Sequence, residues 1–131
     1  MLGAPRVPYH PAAGAPYRRG KLPIVELPVT VTPRLRLHVI GTTLVVAPEW
    51  LRRQLAAAAL GTRHFNLELH GIDLSDAASD GFSPALVRRQ PDLRVSLERK
   101  LAALDRTLGE ARAAGAKFVT LAEAALHFAG A

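Results

Sequence analysis

His64-Phe65-Asn66-Leu67-Glu68-Leu69-His70-Gly71-Ile72-Asp73 decides the fold class of this chain. The run is short and mostly apolar, and it breaks abruptly at His-Gly. In an extended conformation Leu67 and Leu69 share one side, and Glu68 and His70 share the other. An acidic polar loop follows, Leu74-Ser75-Asp76-Ala77-Ala78-Ser79-Asp80-Gly81. A histidine at the carboxyl end of a strand, facing a loop, occupies the position where α/β and barrel folds place chemistry. His70 is therefore the candidate reactive group, with Asp73 and Asp76 its nearest acidic neighbours in sequence. Either raises the basicity of the imidazole or simply caps the loop.

Outward from this segment, the pattern alternates. Upstream, Pro48-Glu49-Trp50 opens a helix, with an acidic residue at the positive end of its dipole. Leu51, Leu55 and Ala58 or Ala59 form its buried face, and Leu60-Gly61 closes it. Trp50 at this helix start is read as packing rather than sugar stacking. Downstream, Ala85–Arg89 suits a brief helical turn. Ser96 caps a helix in which Leu97, Leu101, Leu104, Leu108 and Ala111 recur at spacings of three and four. Gly115 ends it, Lys117-Phe118-Val119 suits a short strand, and Thr120 with Glu123 forms a capping box for a last helix. Strand, helix, strand, loop, helix, strand, helix is the order of an α/β chain with a parallel sheet or part of a barrel.

The front of the chain differs. Pro5, Pro8, Pro11, Pro16 and Pro23 forbid a stable helix, so residues 1–20 suit a Pro/Arg-rich loop or tail. Tyr9 and Tyr17 within it call for something to pack on. Leu22–Thr32 favours a strand, with Pro28 restricting it to an edge or a bulge. Leu35–Val39 suits another short strand, and Leu44-Val45-Val46 is undecided between strand and loop.

Composition narrows the function. The 131 residues fit one domain, and the absence of cysteine excludes a disulfide scaffold, a thiolate zinc site and a thiol nucleophile. There is no apolar run long enough for a membrane span and no apolar leader, which favours a cytoplasmic location. Residues 1–63 carry nine Lys/Arg against Glu26 and Glu49, whereas residues 64–131 carry eight against nine acidic residues. The basic front half suits an anionic partner, such as a lipid-linked phosphate or a peripheral membrane contact. Aromatic–basic alternation, a glycine-rich phosphate loop and finger spacing are all missing, so nucleic acid is not expected.

His64–Asp73, with Arg6-Val7-Pro8-Tyr9 and Val25-Glu26-Leu27-Pro28-Val29, resembles the polysaccharide deacetylase family, the NodB-type carbohydrate esterases. Gly115-Ala116-Lys117-Phe118-Val119-Thr120-Leu121 is similar to that family's closing pattern. The resemblance implies a partial, distorted (β/α) barrel and spans the carboxyl-terminal half of the catalytic domain. It implies removal of an N-acetyl or N-formyl group from a saccharide or a lipid-linked sugar. By resemblance, His70 is the general acid, Arg6 supports a catalytic aspartate, and the Tyr9 N–H helps hold the oxyanion. Pro8, Glu26 and Asp73 line the groove or orient these groups.

Two departures stand out. Glu68 occupies the family's leucine position two residues before the histidine. The family's Asp-Asp pair and His-x-x-x-His motif have no counterpart, so no metal ligands are assigned in this chain. A divalent metal, zinc, belongs to a complete parent domain, and the chain alone is expected to be inactive and to self-associate through an incomplete sheet. The competing readings are an inactive remnant, an interaction module, and an unrelated α/β domain with a structural His70.

Overall fold

The computed structural model describes residues 3–129. The architecture is mixed α/β, about 46% helix with one two-stranded sheet. In chain order the elements are β1 (Pro11–Ala12), β2 (Ala15–Arg19), α1 (Gly41–Val46), α2 (Glu49–Leu60), α3 (Pro84–Arg89), α4 (Leu97–Ala113) and α5 (Leu121–Ala129), with 3-10 turns at Gly71–Leu74 and Pro91–Arg94.

Helix ends follow their local signals. The Ser96 hydroxyl accepts from the Arg99 N–H. The Thr120 N–H donates to Glu123 Oε2 at 2.7 Å, and the Glu123 N–H donates back to Thr120 Oγ1. At the end of α4, Gly115 takes a φ of +78°. Its N–H reaches the Arg112 carbonyl and the Ala116 N–H reaches that of Ala111, the paired bonds of a Schellman motif.

The apolar core gathers Val39, Leu44, Leu55 and Ala59, with Leu51, Phe65 and Leu67 packed against it. Val39, Leu44 and Leu55, the larger buried ones, contribute roughly 1.5–3 kcal/mol each. Leu67 thus faces inward, while Glu68 and His70 are exposed. The face of α4 differs from the leucine stripe. Lys100, Ala103, Leu104, Thr107 and Ala111 are buried, and Leu101 is 49% exposed. Two polar residues enter this face because each finds partners: Lys100 on backbone carbonyls, Thr107 on Arg52.

Most of the expected strands are extended segments without a ladder. Residues 28–32 run beside residues 64–68. The Thr30 N–H donates to the Asn66 carbonyl at 3.2 Å, and the Gly41 N–H donates to that of Glu68 at 2.8 Å. His64 Nε2 meets the Pro28 carbonyl, and Thr30 Oγ1 accepts from the Asn66 N–H. The pairs 28/64 and 30/66 advance in the same sense, so the two segments are parallel. Lys117–Val119 forms no strand either; Phe118 and Val119 are over half exposed. Residues 28–32 have neighbours in both 64–66 and 37–39, where the Val39 N–H donates to the Thr30 carbonyl and the Thr32 N–H to that of Leu37, but the pairing stops at the single bridge Val31–His38 and extends into no ladder.

The proline-rich front carries the hairpin β1–β2, turning at Gly14 with φ +76°. Tyr9 is 7% exposed, and its phenol donates to the Pro16 carbonyl at 2.6 Å. Gly41 permits a close approach: a Cβ there would lie 2.5 Å from both Asp73 Oδ2 and Leu69 Cδ2. Gly41→Ala should lower stability by about 1–3 kcal/mol, because Asp73 is tethered and cannot yield. A thermal midpoint equal to that of the parent would refute this.

Candidate functional site

His70 ends the parallel segment 64–70 with an extended backbone, then the chain folds into the 3-10 turn Gly71–Leu74. Asp73, three residues on, is fully buried and closes the turn. Its Oδ2 accepts the His70 N–H at 2.8 Å, and its Oδ1 accepts the Thr42 hydroxyl at 2.7 Å. The same Oδ2 lies 3.7 Å from His70 Nδ1. Glu68 Oε1 lies 3.7 Å from Nε2, and the imidazole side chain is 53% exposed. A solvent-reachable imidazole thus stands between a buried carboxylate fixed by two hydrogen bonds and an exposed one. Such a ring is open to proton exchange with a solute.

The turn is held from below by α4. Lys100 is 0% exposed, and its ammonium donates to the Ile72 carbonyl at 2.8 Å and the Ser75 carbonyl at 2.6 Å. These carbonyls flank Asp73 and keep its carboxylate under His70. Asp76 extends the anchoring. Its Oδ2 accepts the Leu97 N–H at 2.6 Å and its Oδ1 accepts that of Ser79. Those backbone donors, Leu97 first, hold the Asp76 carboxyl below the usual carboxylate range. Lys100→Met should cost about 1–3 kcal/mol, since two buried carbonyls lose their donor. Urea unfolding measures this, and an unchanged midpoint would show that the turn does not depend on the ammonium.

Arg6 lies at the carboxyl end of the neighbouring segment, where its guanidinium donates to the Pro33 carbonyl. The Arg36 side chain in turn binds the Ala4 carbonyl at 2.8 Å, which ties the Arg6 loop to the 33–36 turn. Tyr9 and Glu26 are elsewhere, at the segment's amino start. The Glu26 N–H donates to the Tyr9 carbonyl at 2.8 Å, and the Tyr9 N–H to the Glu26 carbonyl at 3.2 Å. The Tyr9 N–H is therefore engaged, and an oxyanion could reach it only if this bridge opened. Pro8 is half-buried beside it. Burial raises the Tyr9 phenol above its usual value, Glu26 raises it further, and Arg19 pulls it down. Among the described residues, no hydrogen bond or ion pair joins His70 to Arg6, Tyr9 or Glu26.

Thr42, Gly41 and Lys100 belong to the His70 site without having been singled out in the sequence. Only Lys100 left a trace, a charge inside the inner stripe of α4. Trp50, expected to pack, is 63% exposed and lines a shallow groove between α2 and α4. No group of three His or acidic side chains placed to hold a metal ion occurs among the described residues. No helix among them is long and apolar enough to cross a membrane. Compared with models of known protein families, with curated proteins and with solved structures, the chain matches none.

Proposed function

We propose that this chain is part of a polysaccharide-deacetylase-like hydrolase that removes an N-acetyl or N-formyl group from a saccharide or lipid-linked sugar, with His70 as general acid. The observation that carries the reading is the His70–Asp73 pair: an exposed imidazole at the carboxyl end of a parallel segment, 3.7 Å from a buried carboxylate. An amide nitrogen is a poor leaving group, and a positioned imidazolium supplies the proton it needs. Asp73 holds the His70 backbone N–H and places a carboxylate beside the ring.

The family's divalent metal does not fit the described side chains, which offer no three-ligand set. No step is routed through it, and the base and ligands would come from elements that complete the barrel. The surface supports such completion. Leu101, Phe118, Val119, Leu121 and Leu126 are all exposed, apolar surface that a covering element would bury. The test is release of acetate or formate from N-acylated amino sugars by the chain purified together with whatever completes it in the cell. Absence of acyl release across both acyl groups would overturn the reading.

A further inference from the structure

Three loops meet at the front of the chain. The Arg6 guanidinium donates to the Pro33 carbonyl, and Arg36 Nη2 donates to the Ala4 carbonyl at 2.8 Å. Ala4 and Pro5 also line a groove with Pro16 and Tyr17 of the hairpin. The loop of residues 3–7 is thus tied to the 33–36 turn on one side and to β2 on the other. Apolar side chains stand out from all three. Leu35 is 77% exposed, and Leu37, Val7 and Tyr17 are exposed as well. Arg36, between the two leucines, takes a φ of +53°, a strained conformation for a side chain of this size. Backbone strain is thus kept at an apolar tip.

The same loops are basic. Arg6, Arg18 and Arg34 are exposed beside these apolar residues, and the only acidic residue before position 49 is Glu26. Among the described residues, no Lys or Arg before position 52 is in an ion pair with a carboxylate. Apolar tips on separate turns, set among unpaired arginines, suit a surface that is both anionic and penetrable. A protein partner calls for one contiguous apolar patch. A bilayer interface takes such tips one at a time, while the guanidiniums stay at the headgroups.

We infer that the 33–37 turn, with the Arg6–Val7 loop and Tyr17, docks on an anionic lipid bilayer, with Leu35 entering the headgroup region. Residues 28–32 and 64–68 run parallel, so the turn that follows Thr32 and the His70 that follows Leu69 both lie beyond carboxyl ends of these segments. The inference deepens the deacetylase reading by choosing a lipid-linked sugar over a free one, and only that choice rests on it.

The full chain is sedimented with vesicles of phosphatidylcholine alone and of phosphatidylcholine with about one-third phosphatidylglycerol. Binding should need the anionic lipid and weaken as salt rises. Leu35→Ser/Leu37→Ser should weaken it by about tenfold or more, and Arg18→Gln/Arg34→Gln by about tenfold. These side chains are exposed, so folding, followed by circular dichroism, should persist. The chain has no cysteine, so Leu35→Cys and Gln54→Cys each take a single environment-sensitive fluorophore. The label at position 35 should shift to the blue on anionic vesicles, and the label at position 54, on α2, should not. No binding to anionic vesicles overturns the inference. So does undiminished binding by Leu35→Ser/Leu37→Ser, which would mark a surface that holds any polyanion by charge alone. Equal shifts at the two labels overturn it as well. The vesicles carry no sugar and acyl release is not measured, so loss of the deacetylase reading would leave this result standing. Acyl release from a free sugar without vesicle binding would keep that reading and end this inference.

Discussion

On the proposed deacetylase reading, in a domain that carries the metal and base, His70→Ala should lower turnover by roughly 10²–10⁴-fold, the usual range for loss of a general acid. KM should change little, because an acid acts on the leaving group rather than on substrate capture. Metal content should stay near normal, since nothing in the geometry makes His70 a ligand: its Nδ1 faces Asp73 and its Nε2 faces Glu68. Asp73→Asn gives a smaller loss. The asparagine keeps one acceptor oxygen where Asp73 uses two, Oδ2 for the His70 N–H and Oδ1 for the Thr42 hydroxyl, and removes the carboxylate charge beside the ring. Activity of His70→Ala within about twofold of the parent would make the imidazole a structural cap. Equal loss of metal and activity would make it a ligand.

How far the sequence displayed this structure depends on the range of the interaction involved. Ser96, Gly115 and the Thr120–Glu123 box are contained within one turn of chain, and each appears where its signal stands. The His70–Asp73 contact, three residues apart, was legible for the same reason. Gly41 and Thr42 were not, because their bearing on Asp73 crosses some thirty residues and depends on how two segments pack. Leu101 shows the limit of periodicity. Leucine spacing marks a stripe, but which stripe faces inward was settled by Lys100 and Thr107 finding carbonyl and guanidinium partners there. The strands failed in the opposite direction. Valine, isoleucine and threonine make residues 22–32 extended, and other segments do lie beside them, yet each pairing stops at an isolated bridge, a length that no local pattern sets. The barrel expected from resemblance is not seen: the described residues form one two-stranded sheet, β1–β2.

The largest stability effect is expected at Arg52, which joins α2 to α4. Its side chain is 1% exposed and its Nη2 meets Glu49 at 2.8 Å and Glu110 at 2.7 Å. Further bonds run from Nε to Glu49 and from Nη1 to Thr107 and Glu110. The guanidinium thus spends its donors on three partners, with both carboxylates held by two bonds each. Arg52→Met keeps much of the volume and removes every one of these bonds, at an expected cost of about 2–3 kcal/mol. That is below the 3–5 kcal/mol typical of stranding a buried charge, because Glu110 can turn to water. The hydrogen bond from Arg52 is the main cause that holds Glu110 below the usual carboxylate range, and it does the same for Glu49. A carboxyl depressed in the folded state contributes stability above its unfolded pKa, near 4.3 for glutamate, and loses it as pH falls through the folded value. Arg52 stays protonated throughout. Urea midpoints measured from neutral pH down to about pH 3 should therefore fall steeply for the parent below about pH 5. They should fall less for Arg52→Met, whose remaining slope comes from Asp76 and the Leu97 N–H that binds it. Parallel pH slopes in parent and variant would show that the carboxylates do not owe their acidity to Arg52, and that the junction of α2 and α4 rests on its apolar contacts alone.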